Sequence, residues 1–382
     1  MLGALAAIGS AAFTSCKKDD NNNTPAGKKI DYTSLTPSTN YTKKFVDDAG
    51  VSTVDFSGQT TRQDMLSKLD SVIKVPAKSN ASVSATVLKN MFANTGNPFA
   101  QPELNTAGKD LKSKTATSLA TAQKEAEWAR VEGWLSKIAE ISQGLPRTAK
   151  DGTSGLTDGA SKYLVSDNGI EYGQLVQKGL MGACFMDQIS NTYLGDAKQN
   201  ETGNTEKESG KNYKKIEHYW DEAYGYLTKN GVYPDPVKAN ERFLGSYVRQ
   251  GKDSVNIFLA FLKGRAGAAN GDKTMMDQQR AQIQNMLQDI VATLAISYLN
   301  KTITQYASAP ASAMHSMSEG LGFLYSLRFA KNAKVNAAKS DELMAKLMDG
   351  KGFYGLTAAN IENVRDQIAT ATGIDKNTVV NH

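Results

Sequence analysis

The chain has 382 residues, 44 lysines and arginines against 39 aspartates and glutamates, and three histidines. Its formal net charge is +5, and the basic residues are dispersed rather than clustered. That excludes the electrostatic footprint of a nucleic-acid-binding surface and leaves length for one large or two moderate domains.

Met1 to Phe13 is short, apolar and rich in alanine, and Phe13-Thr14-Ser15 leads into Cys16. Residues 1–16 have the form of a lipoprotein signal peptide ending at a cysteine to be lipidated. The apolar run is too short to span a bilayer. Lys17-Lys18-Asp19-Asp20 resembles the export signal of surface-exposed bacterial lipoproteins. Residues 17–30, with Asn21-Asn22-Asn23, read as a flexible polar tether. The expected place is the outer membrane, at its outer or periplasmic face, with the lipid as anchor. Cys184 then has no partner for a disulfide. In Leu180-Met181-Gly182-Ala183-Cys184-Phe185-Met186 it reads as a small buried hydrophobe.

Residues 31–382 read as one all-helical domain. A short extended piece at residues 53–56 leads into a helix with Met65, Leu66, Leu69, Val72 and Ile73 at helical spacing, stopped by Pro76. A second helix is predicted over 85–94 and a long one over about 109–142, ended by Gly144-Leu145-Pro146. A glycine-rich loop covers 146–160. The helix expected over 169–194 carries only Lys178 as a charge between Glu171 and Asp187, so it reads as buried. A polar loop follows over 195–212. Further helices are predicted over 212–229, 236–249, 253–269 and 275–304. Pro310 opens another, and two more lie near 340–349 and 357–371. There is almost no strand signal.

One pattern occurs twice. His218-Tyr219-Trp220-Asp221-Glu222-Ala223-Tyr224-Gly225-Tyr226-Leu227 and His315-Ser316-Met317-Ser318-Glu319-Gly320-Leu321-Gly322-Phe323-Leu324 both read H-x-x-x-E-x-x-G-[YF]-L. The remaining histidine is His382. At this spacing His, Glu and Gly share one stripe of a helix. A glycine inside a helix costs about 1 kcal/mol relative to alanine, so two in register suggest close backbone approach. Between Lys301 and Arg328 the only charged side chain, His315 aside, is Glu319. A carboxylate on so apolar a helix needs a specific partner. A second motif accompanies the first: Lys178-Gly179-Leu180-Met181-Gly182-Ala183 and Lys263-Gly264-Arg265-Ala266-Gly267-Ala268 are both K-G-x-x-G-A, each preceding one H-x-x-x-E helix. The order implies a helical bundle with an internally duplicated, pseudo-twofold core over about 168–230 and 253–330.

Asp55-Phe56-Ser57-Gly58-Gln59-Thr60-Thr61-Arg62, the Lys178–Ala183 run and both His–Glu stretches resemble a family of bacterial lipoproteins known as domain of unknown function 4856. A more distant similarity is to imelysin-like proteins. It implies an all-α, pseudo-duplicated, envelope-located protein associated with iron uptake. The signature there is G-x-H-x-x-E. In this chain Ile216 and Ala313 stand at the glycine position, and Asp221 and Ser318 stand three after each histidine, with glutamate one later.

Several readings of the site follow. His218, Glu222, His315 and Glu319 converging from two facing helices would suit one transition-metal ion, iron or zinc, in a protein assisting uptake alongside outer-membrane transport proteins. Lys178, Lys263 and Asp221 would then support the ligands from outside; Asp221 itself reads as an exposed or capping carboxylate. Alternatively the chain is a non-metal binding or scaffold lipoprotein, its His/Glu network structural, with Lys178 and Lys263 neutralising Glu222 and Glu319. A metallopeptidase is a weaker reading: no H-E-x-x-H supplies a general-base glutamate between helix ligands. Trp128, Trp134 and Trp220 could stack on sugars, though helix-spaced aromatics belong more often to a core.

Overall fold

Apolar residues three and four apart turn one stripe of each long segment inward, and those segments are helices. The computed structural model describes residues 29–380 except Lys252. The signal peptide, Cys16, nearly all of the tether and His382 lie outside the described residues. Helix α1 (Ser57–Ile73) buries Met65, Leu66, Leu69 and Ile73. Pro76 sits in the first turn of a separate short helix, Val75–Ser79, where its missing N–H is no loss. Helix α2 (Ala85–Ala93) ends on Asn94 in the left-handed conformation.

Helix α3 (Thr121–Ser142) begins later than the sequence suggests. Ala116 has φ of 57°, and its N–H is drawn 2.6 Å from the carbonyl of Ala183. That contact to a distant element holds residues 112–120 in turns. The glycine-rich stretch contains a small antiparallel ribbon pairing Gly155–Leu156 with Leu164–Val165, the only sheet among the described residues. Helix α4 (Tyr172–Leu180) continues through wide π-type turns over Met181–Met186 and Gln188–Tyr193. Its extent matches the expectation; its widened turns do not.

Then come α5 (Lys215–Leu227), α6 (Phe243–Gln250), α7 (Ser254–Asn270), α8 (Lys273–Gln305), α9 (Pro310–Ser326), α10 (Ala337–Met348) and α11 (Ala358–Thr372). Helix α6 starts at Phe243 because Glu241 holds the preceding loop: its carboxylate accepts from the Asp235 N–H and the Thr228 hydroxyl. The long α8 packs against α7, α9 and α11, while α4 covers α9 and α1 and α7 flank α5. The fold is all-α. Buried apolar side chains from Leu35 to Ala369 form one contiguous cluster. Among the described residues no helix is long and apolar enough to cross a membrane.

The segment before α1 is fastened at two points. Asn270 bonds both backbone groups of Ile30, accepting from its N–H at 2.8 Å and donating to its carbonyl at 2.9 Å. Tyr32 donates to Asp272. Deeper in, the guanidinium of Arg265 lies fully buried between Glu217 (3.3 Å) and Asp221 (2.8 Å), donates to Thr53 and covers the Phe45 ring. Tyr41 donates to the same Asp221 oxygen.

Glycines set the helix spacing. A Cβ on Gly264 would lie 2.1 Å from the ring of Trp220, which is fully buried. Gly133 on α3 has open space instead. Gly264→Ala should therefore lower stability by about 1–3 kcal/mol through overpacking. Gly133→Ala should raise it by roughly 0.5–1 kcal/mol through helix propensity. Denaturant midpoints of the two variants against the parent protein check both signs.

Candidate functional site: two histidine–glutamate pairs

Helix α5 carries His218 and Glu222, and α9 carries His315 and Glu319. Each pair lies side by side, with His218 Nε2 3.7 Å from Glu222 Oε2 and His315 Nε2 3.6 Å from Glu319 Oε2. Each imidazole lies on a tyrosine ring from outside its helix. Tyr213 stacks on His218 with centroids 4.7 Å apart, and Tyr163 stacks on His315 at 4.3 Å. A tyrosine hydroxyl donates to each carboxylate, Tyr193 to Glu222 at 2.9 Å and Tyr247 to Glu319 at 3.4 Å.

The motif glycines bring up the remaining donors. A Cβ on Gly225 would lie 2.5 Å from that of Phe56 and 2.9 Å from that of Gln59, so α1 rests on the glycine. Gln59 then reaches Glu222 with its amide at 3.1 Å. On the other helix a Cβ on Gly322 would lie 2.6 Å from the Cβ of Lys178, so α4 rests there. The ammonium of Lys178 reaches Glu319 at 2.9 Å. In both places a missing side chain lets a neighbouring helix approach, and a residue at the point of approach supplies the hydrogen bond.

The electrostatics of the pairs differ. Glu222 accepts only from neutral groups, its own histidine aside. Glu319 is 6% exposed, which raises the cost of its charge, but Lys178 and His315 outweigh burial and hold its carboxyl below the usual glutamate range. Beyond His315, Glu171 accepts from Nδ1 at 2.6 Å. The corresponding Nδ1 of His218 is buried without a hydrogen-bond partner. Burial also drives the Tyr193 and Tyr247 hydroxyls far above their ordinary range, so both act as donors.

The two pairs share no hydrogen-bond, ion-pair or stacking partner among the described residues. No group of three or more His, Cys, Asp or Glu side chains there is arranged to hold a metal ion. Lys178 and Lys263 have separate fates. Lys178 lies on α4, which packs on α9, and neutralises Glu319. Lys263 lies on α7, which packs on α5, yet it lines an open groove and makes no ion pair with Glu222. Each K-G-x-x-G-A helix thus packs against the H-x-x-x-E helix of the other copy.

Asp221 is corrected. It is fully buried, not exposed or capping, because it turns toward Arg265 on α7 and away from the His218 face. Burial pushes its carboxyl up to about 7 despite the guanidinium. Its second oxygen has no partner. Trp220 and Trp134 are core residues, and the indole N–H of Trp128 is held by the carbonyl of Thr115. Cys184 is buried, and burial pushes its thiol up to about 12. Sequence reasoning missed Gln59, Glu171, Tyr193, Tyr213, Tyr163 and Tyr247. The one available signal was Asp55–Arg62, singled out as family-like and containing Gln59.

The chain matches the family described as Domain of unknown function (DUF4856) over residues 40–375 and belongs to it. No curated protein and no solved structure matches it.

Breaking the buried pair should be costly. Lys178→Met leaves Glu319 charged and uncompensated, with an expected loss of about 3–5 kcal/mol, partly restored by adding Glu319→Gln. Because the folded carboxyl titrates below the unfolded one, its contribution is full above the unfolded glutamate value and fades as pH falls through the folded one. Glu319→Gln should therefore lose less stability on acidification than the parent protein, as read from urea midpoints across the acid range.

Proposed function

We propose that this chain is a cell-envelope lipoprotein acting as a binding or scaffold module, in which the two His–Glu pairs secure the helix packing and hold no metal ion. The observation that supports this most is the Lys178 ammonium, 2.9 Å from Glu319 and buried with it. A fixed positive charge there repels an incoming cation and already neutralises the carboxylate it would use. Glu222 is likewise engaged, by Gln59 and Tyr193. The two pairs have like surroundings, each glutamate being met by a donor from the helix that rests on the motif glycine, and this supports a packing role for both.

A second reading has one specific observation in its favour. His315 Nδ1 bonds Glu171, the arrangement that orients an imidazole for metal ligation through Nε2. Glu319 stands beside that nitrogen. On this reading His315 with Glu319, or His218 with Glu222, would hold one iron or zinc ion in a protein that assists uptake.

Metal content separates the two. Purified from metal-supplemented medium, the parent protein, His218→Ala and His315→Ala should all carry the same small, substoichiometric amount of iron and zinc. A chelator should leave the melting temperature of the parent unchanged. One equivalent of metal in the parent, lost in either variant, would sink the structural reading and carry the metal-binding one.

A further inference from the structure

The contacts around Glu319 extend into a circuit with one gap. Lys178 also donates to the side-chain oxygen of Gln177. Gln177 donates to Asp70 on α1 at 2.6 Å, and Asp70 pairs with Lys74 at 2.6 Å. In the other direction Glu319 stands beside His315, His315 bonds Glu171, and Glu171 accepts from the carboxamide of Gln174 at 3.1 Å. The two ends of this chain, Asp70 and Gln174, line the same small cavity between α1, α3 and α4.

Gln174 is 4% exposed, and its Oε1 is buried without a hydrogen-bond partner among the described residues. Glu171 settles which amide atom is left over: turned round, the carboxamide would set its oxygen against a carboxylate. A buried acceptor left unmet is costly. The cavity measures about 20 Å³, room for one guest the size of a water molecule. Gln174, Glu171 and Asp70 give it acceptors, and the Lys74 ammonium is already engaged with Asp70. Ile73, Ile138 and Leu164 close much of the rest with hydrocarbon.

Charge decides what the guest is. Along the circuit three carboxylates, Asp70, Glu171 and Glu319, stand against two ammonium groups, Lys74 and Lys178. With the imidazole neutral, one negative charge is left over in a place largely withdrawn from water, where an unbalanced charge is costly. We propose that the cavity binds a single ammonium ion. Its N–H bonds are shared among Gln174, Glu171 and Asp70, which closes the circuit, and its charge cancels the excess. Water would close the circuit but leave the charge. Calcium takes about six to eight oxygen ligands, more than these walls offer, and brings one charge too many. A sodium or potassium ion gains nothing from the hydrocarbon walls and lacks directed donors for the few acceptors. Neither Gln174 nor Asp70 belongs to the His–Glu pairs, so this site is tested separately from their metal content.

The measurement is titration calorimetry of the full-length protein at constant ionic strength. Tetramethylammonium chloride serves as the balancing salt, because its cation is too large for the cavity. Ammonium chloride should reveal one saturable site, at least tenfold tighter than potassium or sodium chloride, a difference of about 1.4 kcal/mol. Gln174→Leu and Asp70→Asn should each weaken ammonium by about tenfold or more, with circular dichroism confirming the fold of each variant. Gln174→Met serves if Gln174→Leu does not fold, and Asp70→Ser if Asp70→Asn does not. No saturable binding, potassium or sodium bound as tightly as ammonium, or an ammonium affinity unmoved by the substitutions would overturn the proposal.

Discussion

Glycines 225 and 322 set the limit on which the interior depends. A carboxylate on the inward face of a helix is largely withdrawn from water and has to be met by a donor. Long side chains can deliver donors only if their own helix comes near enough. At both positions the absent Cβ permits that approach, and the residue that touches the glycine, Gln59 or Lys178, is the one that reaches the glutamate. The motif H-x-x-x-E-x-x-G thus has a packing logic: the glycine one turn beyond the glutamate admits the helix that satisfies it.

Around this arrangement the buried polar groups fall into separate, largely satisfied networks. Arg265 gathers Glu217, Asp221, Thr53 and Tyr41. Arg328 gathers Glu127 and Asp341, with Tyr325 also donating to Glu127. Lys178 and His315 gather Glu319 and Glu171. Each network joins segments far apart in sequence, so each specifies which helices lie together. Such networks add little net stability over an apolar core, but they penalise wrong pairings heavily.

Much of the architecture was legible because it is periodic. The apolar stripes of α1, α7, α8 and α9 place those helices within a few residues of their observed ends, and the shortage of charge around Glu319 correctly marked it as buried and paired. Long-range features were not legible. The late start of α3 depends on a backbone bond from Ala116 to Ala183. The inward turn of Asp221 depends on an arginine 44 residues away. The crossed pairing of the K-G-x-x-G-A and H-x-x-x-E helices depends on chain topology. Order along the sequence suggested that each motif serves the H-x-x-x-E helix that follows it; packing joins each to the helix of the other copy.

The clasp between Asn270 and Ile30 has a mechanical consequence. Asn270 and Asp272 flank the tight turn joining α7 to α8, and both hold the strand of chain that enters the body. Tension applied from upstream would be resisted first by these three hydrogen bonds, at the junction of two of the longest helices. Only after they gave way would load travel on toward the Arg265 cluster. The body is thus strain-relieved at its entry, as a cable is at its socket, and its interior is shielded from tugging on the leading end.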